Sequence, residues 1–454
     1  MRQWFFKIKS LPTDFISWRL SILLTLCLIL GGTSQAILTI KLPLYLISLF
    51  IIGFVLTSGH REPLSVLFKG PIILGASFFI LSVIYLIPLP PSLWTQFPGR
   101  SVIVEGFSLS QLTLPWLPIS LTPENSVMAI WNFLPPIAIT LILLLDLRKA
   151  ELKNALLTVI VLCFLSFILG VLQIIFGPPM YLYEVSNFGY SSGFFSNANH
   201  QACFLTMALP ICFYYAINTK SKRLGLRNNW SRKRIFALIN LILIAVAIPM
   251  TDSITGYIIF ILSGLLMTIG FFKNKNNSIF FATLISLGIG YLIIDFFYFE
   301  KFGPVLVDKF TEINGTSRYN IYHTLLSKED LFAFFGTGPG SFYDVYLTLE
   351  DRASMSTKFA NNAHNDYLEV LLELGLPGML IMLSALFGTL FIIAKRLIKG
   401  SRNKELELVG AVSTLTVLIA SLPDYPMRTI AISSLMTLSI IIMCNCQRVV
   451  RDYN

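Results

Sequence analysis

The chain has 454 residues, of which 55% are hydrophobic and 13% charged, with 37 Phe and 17 Tyr and a mean hydropathy of +0.73. A soluble domain of this size has too little interior for that much apolar surface, so lipid is the solvent for most of it. The formal net charge of +10 does not point to nucleic acid, because the cations fall between apolar runs and not along one face.

In chain order, the apolar runs predict about twelve transmembrane helices near residues 20–39, 42–58, 68–89, 127–146, 154–176, 200–217, 236–251, 254–272, 279–298, 379–395, 405–422 and 429–446. Each is close to the length that ~30 Å of hydrocarbon requires. The expected fold is all-α, a polytopic membrane protein forming a single integral membrane domain over 1–454. The first run ends in TSQA, where Ser34 and Ala36 have a cleavage-like spacing; the many spans that follow favour a signal anchor. Basic clusters occur at Arg2, Lys7, Lys9 and Arg19; at Arg148, Lys149 and Lys153; between Lys220 and Arg234; at Lys273 and Lys275; between Lys395 and Lys404; and at Arg448 and Arg451. All fall on the same side of a twelve-span count, which places both termini in the cytoplasm. Cys27, Cys163, Cys203, Cys212, Cys444 and Cys446 lie in or beside apolar segments. They read as packing residues, with no zinc or disulfide spacing.

Four segments then face outward: 90–126 with Trp94 and Trp116, 177–199 with GYSSGFFSNANH, the large loop 299–378 between spans 9 and 10, and the short turn LPDYPMR at 422–428. From Ser317, residues Ile321, Tyr322, Leu325, Leu326 and Phe332 recur at helical intervals, which predicts an amphipathic helix on the outer interface with Arg318 at its start. GTGPGSF, Gly336 to Phe342, reads as a tight turn. A phosphate loop would need a following Gly-Lys-Ser/Thr, which is missing.

The string NNAHNDYLEVLLELGLPG, Asn361 to Gly378, carries one of four histidines. Asp366 and Glu369 have capping-box spacing, so a helix is expected from Asp366 to Leu374, broken at Gly375, Pro377 and Gly378. His364 and Asn365 then precede a helix N-terminus, which suits an anion and lowers the proton affinity of an imidazole. The plainer readings make His364 a hydrogen-bonded interface residue and Arg318 a snorkelling cation. They also make Glu369 and Glu373 capping and solvated groups, Asn197, Asn199 and His200 the cap of the sixth span, and Asp252 a turn residue.

His364-Asn365, nine residues, Gly375, two residues and Gly378 resemble the signature of the O-antigen ligase and O-antigen polymerase superfamily, bacterial inner-membrane enzymes that handle undecaprenyl-diphosphate-linked glycans. Arg318, Gly336-Thr337-Gly338 and a G-x-x-x-N-x-N element at Gly193 to Asn199 are similar to its further elements. The resemblance implies that His364 is the catalytic base and Arg318 a diphosphate clamp, with Asn365 and Asn199 binding substrate. Members often carry a Ser-Arg pair in the outer turn after the seventh span, where this chain reads Asp252-Ser253-Ile254-Thr255. Arg428 and Arg352 are candidates to supply that charge. The resemblance further implies a lipid-linked glycan donor, lipid A core or a second lipid-linked glycan as acceptor, and contact with membrane lipids. No metal, cofactor or nucleic acid is expected. The ligase reading leads slightly over a polymerase for O-antigen, capsule or exopolysaccharide repeats, because the loop after the ninth span is moderately long and bears the motif. A transporter ranks below both, since the polar residues gather in outer loops and not inside spans. Trp94, Trp116, Tyr343 and Tyr346 are candidates to line a glycan path, with interface anchoring as the alternative for the tryptophans.

Overall fold

A computed structural model describes residues 13–35, 37–57, 69–145, 149–218, 231–271, 317–350, 360–399 and 405–451. Where the sequence alternates apolar runs with Gly, Pro and charged breaks, the chain alternates helices with outer and inner turns. The helices are α1 (Thr13–Leu30), α2 (Leu38–Thr57), α3 (Lys69–Ile84), α4 (Ser101–Leu109), α5 (Pro123–Trp131), α6 (Leu134–Leu145), α7 (Lys149–Phe176), α8 (Ala198–Asn218), α9 (Arg232–Met250), α10 (Ile254–Phe271), α11 (Ser317–Ser327), α12 (Phe342–Leu349), α13 (Asp366–Lys399), α14 (Glu405–Ala420) and α15 (Ile430–Arg451).

Among the described residues, seven stretches are long and apolar enough to cross a membrane: Leu38–Thr57, Pro123–Leu145, Glu151–Phe176, Ala198–Asn218, Arg232–Met250, Ile254–Phe271 and Asp366–Ile398. Shorter apolar helices stand at Ser17–Leu30, Ile72–Ile84 and Ile430–Cys444, and α14 fills the run expected at 405–422. The run expected at 279–298 lies outside the described residues. The first helix ends earlier than the apolar pattern suggests, because Gly31 and Gly32 pack their backbones directly against Ile430, Ala431 and Phe194.

The core is built around α8, which is mostly apolar after its first turn and is buried along nearly its whole length. It packs against α7, α9, α10 and α14, as expected of a helix with no polar stripe to turn toward water. The free thiols of Cys27, Cys163, Cys203 and Cys212 are buried in this packing. Around it, α1 lies on α7, α2 on α6, α3 on α13, and α14 pairs with α15.

Two expectations are corrected. Arg19 does not serve as a surface topology charge: it is 1% exposed, and its Nε and Nη2 donate to Glu151 Oε1 and Oε2 at 2.7 and 3.1 Å, tying α1 to α7. The all-α expectation agrees with the structure, in which a two-residue antiparallel pairing of Pro88–Leu89 with Leu117–Pro118 closes the loop 90–116. Finally, α11 does more than lie at the interface. Its Ile321 and Leu325 are buried with Phe332, Phe342, Tyr346, Ala363 and Leu372 in a second, smaller core, while Leu326 stays exposed.

Candidate active site

The site begins with the break in α13. Asn365, and not Asp366, caps its start: Asn365 Oδ1 accepts the N–H groups of Tyr367 and Leu368 at 2.9 and 3.0 Å, the N-terminal donors that have no helical partner. The helix runs to Leu374 and stops at Gly375, whose φ of +61° and ψ of −160° lie outside the range of an L side chain. The carbonyls left open there are capped by the glycine turn. Thr337 N–H donates to Leu372 O at 2.9 Å and Gly338 N–H to Glu373 O at 2.8 Å, with φ of +73°, +107° and +78° at Gly336, Gly338 and Gly340. The nine residues between Asn365 and Gly375 are thus one short capped helix, and GTGPGSF is its clasp.

His364, immediately before this helix, has φ +51°. A histidine tolerates this left-handed region at a cost of about 1 kcal/mol. Its carbonyl accepts the Tyr322 hydroxyl at 2.7 Å, so α11 holds the strained residue. The His364 side chain is 24% exposed, and its Nδ1 lies 3.6 Å from Asp424 Oδ1. With Nδ1 turned toward a carboxylate, Nε2 is the nitrogen available to a substrate.

Asp424 is buried in the turn between α14 and α15. Burial alone would raise its pKa; the neighbouring imidazoles of His364 and His200 and the Arg318 guanidinium outweigh it and hold the carboxyl at about 2. Arg318 Nη1 donates to Pro423 O at 3.1 Å. Arg318 and His364, far apart in the sequence, therefore converge on adjacent residues of the turn between α14 and α15. A second imidazole, His200 at the start of α8, is 1% exposed with Nε2 3.9 Å from Asp424 Oδ1. The Tyr425 ring meets both histidines edge-on, at 4.9 Å for His364 and 5.0 Å for His200. Its phenol hydrogen-bonds to the side chains of Asn197 and Asn361, and burial pushes its pKa up.

The remaining candidates fall as follows. Asn365 spends its amide oxygen on the helix cap. Asn199 is half-buried at the N-terminus of α8, its N–H donating to Asn197 Oδ1 at 2.8 Å. Arg428 is directed at three carboxylates: Nη1 donates to Glu373 Oε2 at 2.6 Å, and Nε lies 3.2 Å from Glu369 Oε1 and 3.7 Å from Asp366 Oδ1. Burial works against its charge, but the three carboxylates more than compensate and raise its pKa above the ordinary arginine range. A guanidinium so matched is a brace, not a free fork for a diphosphate. Arg352 lies outside the described residues.

The reading of Glu369 and Glu373 as solvated is corrected. Both are buried, because the short helix tucks beneath the turn at 422–428. Glu369 also holds the loop before the helix, accepting Asn362 Nδ2 and Ala363 N–H at 2.8 Å each. The turn reading of Asp252 agrees with its φ of +51°, and Ser253 Oγ accepts the Gly256 N–H at 2.9 Å to start α10. Trp94 and Tyr346 do not line an open path: both are buried, Trp94 donating to Pro115 O at 2.9 Å and Tyr346 stacking on Phe342. Trp116 and Tyr343 are exposed.

The sequence reading missed Asp424 and Tyr425 as site residues and gave His200 a capping role alone. The signal was an Asp-Tyr pair in the LPDYPMR turn, set between two apolar runs where a carboxylate needs a partner. Among the described residues, no three His, Cys, Asp or Glu side chains converge as metal ligands. An apolar cavity of about 1040 Å³ opens between α3, α6, α13 and α15, walled by Phe78, Ile137, Met382 and Met436, with Asp366, Glu373 and Arg428 among its lining residues.

The fold and the site define a helical membrane protein with a His–carboxylate–Arg constellation on the turn between α14 and α15. The family model described as O-antigen ligase matches residues 239–383, which include Arg318 and His364, so this part of the chain is similar to that family. No curated protein matches the chain.

Proposed function

We propose that the protein is a membrane glycosyltransferase of the O-antigen ligase type, moving a glycan from an undecaprenyl-diphosphate carrier to an acceptor hydroxyl on the outer face of a bacterial inner membrane. In this reading about twelve spans leave both termini in the cytoplasm and loop 299–378 outside. The observation that carries it is the convergence of His364 and Arg318 on Pro423 and Asp424.

The acceptor oxygen attacks the anomeric carbon as the bond from that carbon to the diphosphate oxygen breaks. His364 Nε2 takes the hydroxyl proton, and Asp424 at Nδ1 balances the imidazolium that forms. Arg318 stabilises the charge that accumulates on the departing diphosphate, and the activated leaving group arrives on the donor. Attack opposite the leaving group inverts the anomeric carbon, so a product of retained configuration by NMR would sink this step. The apolar cavity suits a polyprenyl chain, and Asn199 and Asn365 border the region where the glycan would lie. Arg352 remains a candidate for a second diphosphate contact, and Arg428 takes the bracing role.

The test is transfer in membranes from an undecaprenyl-diphosphate-linked donor, comparing wild type with His364→Asn at matched expression. Asn accepts a positive φ, so the variant removes the base without adding backbone strain. Loss of at least ~100-fold in rate is expected, and full activity would refute the proposal. One product on lipid A core identifies a ligase; a ladder of lengths on the lipid carrier identifies a polymerase.

A further inference from the structure

His200 is not explained by packing. It is 1% exposed, yet neither ring nitrogen has a hydrogen-bond partner among the described residues, and the same holds for Asp424 Oδ2 and His364 Nδ1. Burying an imidazole with both nitrogens unpaired carries a desolvation cost that an apolar side chain would avoid. A purely structural position at the top of α8, a helix whose buried residues are mostly Ala, Cys, Phe, Leu and Met, would be better served by one of those.

The geometry gives the imidazole a different task. His200 Nε2 and His364 Nδ1 approach the same oxygen, Asp424 Oδ1, at 3.9 and 3.6 Å, and the Tyr425 ring spaces the two imidazoles by packing edge-on against each. Such separations are longer than hydrogen bonds, as catalytic contacts commonly are before substrate closes the site. The other groups facing this carboxylate are Arg318 from α11 and Cys203 one turn below His200 on α8. From α13, Asp366 donates its N–H to Asp424 O at 3.1 Å, and the Asp366 carboxylate accepts from Ser421 Oγ at 2.7 Å.

We propose that His200 is a positioning residue for the transfer reaction, a buried neutral imidazole whose Nε2–H donates to Asp424 and thereby orients that carboxylate toward His364 and limits how strongly it attracts the His364 proton. The inference rests on the reading of His364 as the base. Its sign follows from charge. A donor on Asp424 spreads the carboxylate's negative charge, so removing it leaves Asp424 a stronger partner for the His364 imidazolium. His364 then stays protonated to higher pH, and the acid limb of the rate profile moves up.

The experiment measures release of undecaprenyl diphosphate from a lipid-linked oligosaccharide donor by the full chain in lipid, as a function of pH. Four proteins are compared: wild type, His200→Leu, His200→Asn and His200→Gln. Both Leu and Asn withdraw the donor from Asp424, and Gln keeps an N–H near the place of Nε2. The expected result for His200→Leu and His200→Asn is a fall in kcat of about tenfold, KM for the donor within about twofold, and an acid limb raised by about 0.5 pH unit. Gln should recover most of the lost kcat and return the limb toward wild type. Wild-type kcat and an unmoved limb in either loss variant overturn the proposal. So does a fall in rate that only follows the folded fraction measured by size-exclusion chromatography. Full activity of His364→Asn would instead overturn the underlying reading of the base, whatever the His200 variants do.

Discussion

At the level of single residues, the site is an exercise in holding a strained, rare group in place. His364 sits at φ +51°, and three independent contacts fix it: the Tyr322 hydroxyl on its carbonyl, Asn365 capping the next helix, and Asp424 at its ring. Asp424 also carries a stability consequence. Its carboxyl is held at about 2 against an ordinary 3.8, so the folded state binds its proton less readily than the unfolded chain does. The resulting stabilisation, about 2 kcal/mol, is complete above about pH 4 and is lost as the pH falls toward about 2. Thermal unfolding in detergent should show Asp424→Asn less stable than wild type near neutrality, with the difference closing on acidification through that window. A difference independent of pH would reject the assignment. His364 was legible in the sequence because a histidine in so apolar a chain stands out beside a helix start. Asp424 was not, because the spanning residues between it and His364 hide the pairing from any local pattern.

For the elements, the lesson lies in the broken helix and its clasp. The spacing from Asn365 to Gly375 is local, so the short helix and its end could be read from the residues. What the chain does with GTGPGSF could not: the turn caps carbonyls of a helix that comes later in sequence. A Cβ at Gly338, with φ +107°, would collide with Ser120. Gly338→Ala should therefore cost about 2 kcal/mol or more, seen as a lowered Tm together with reduced transfer. Gly53→Ala is the matched control. It lies inside α2 with open space around it, and in a helix interior the change should be neutral or stabilising by up to ~1 kcal/mol. Equal effects at the two positions would contradict the clasp. The same distinction explains α12 and Tyr346, where an aromatic-rich outer stretch that suggested a glycan path folds inward as a small core.

On the scale of the whole molecule, helices that begin and end on opposite sides must be locked against sliding, and lipid supplies no hydrophobic drive between them. The buried Arg19–Glu151 pair does this where α1 meets α7. Arg19→Leu takes the guanidinium away from the buried Glu151 carboxylate and should cost about 3–5 kcal/mol, whereas the double variant Arg19→Leu/Glu151→Leu should recover most of that loss. Unfolding in detergent reads both, and a double variant no better than the single one would deny the pairing its structural role. By itself, the sequence determined that lipid is the solvent of most of this protein, the order of most of its helices, and the short helix that follows His364. Those properties follow from apolar runs, charges and helix-end residues read along the chain. Only the tertiary structure decided that Arg318 and His364 meet at Pro423 and Asp424, that His200 lies beneath them, and that Arg428 braces three carboxylates. These pairings join distant segments through packing around α8, and a buried charge takes its partner from whatever the fold brings near, not from its neighbours in sequence.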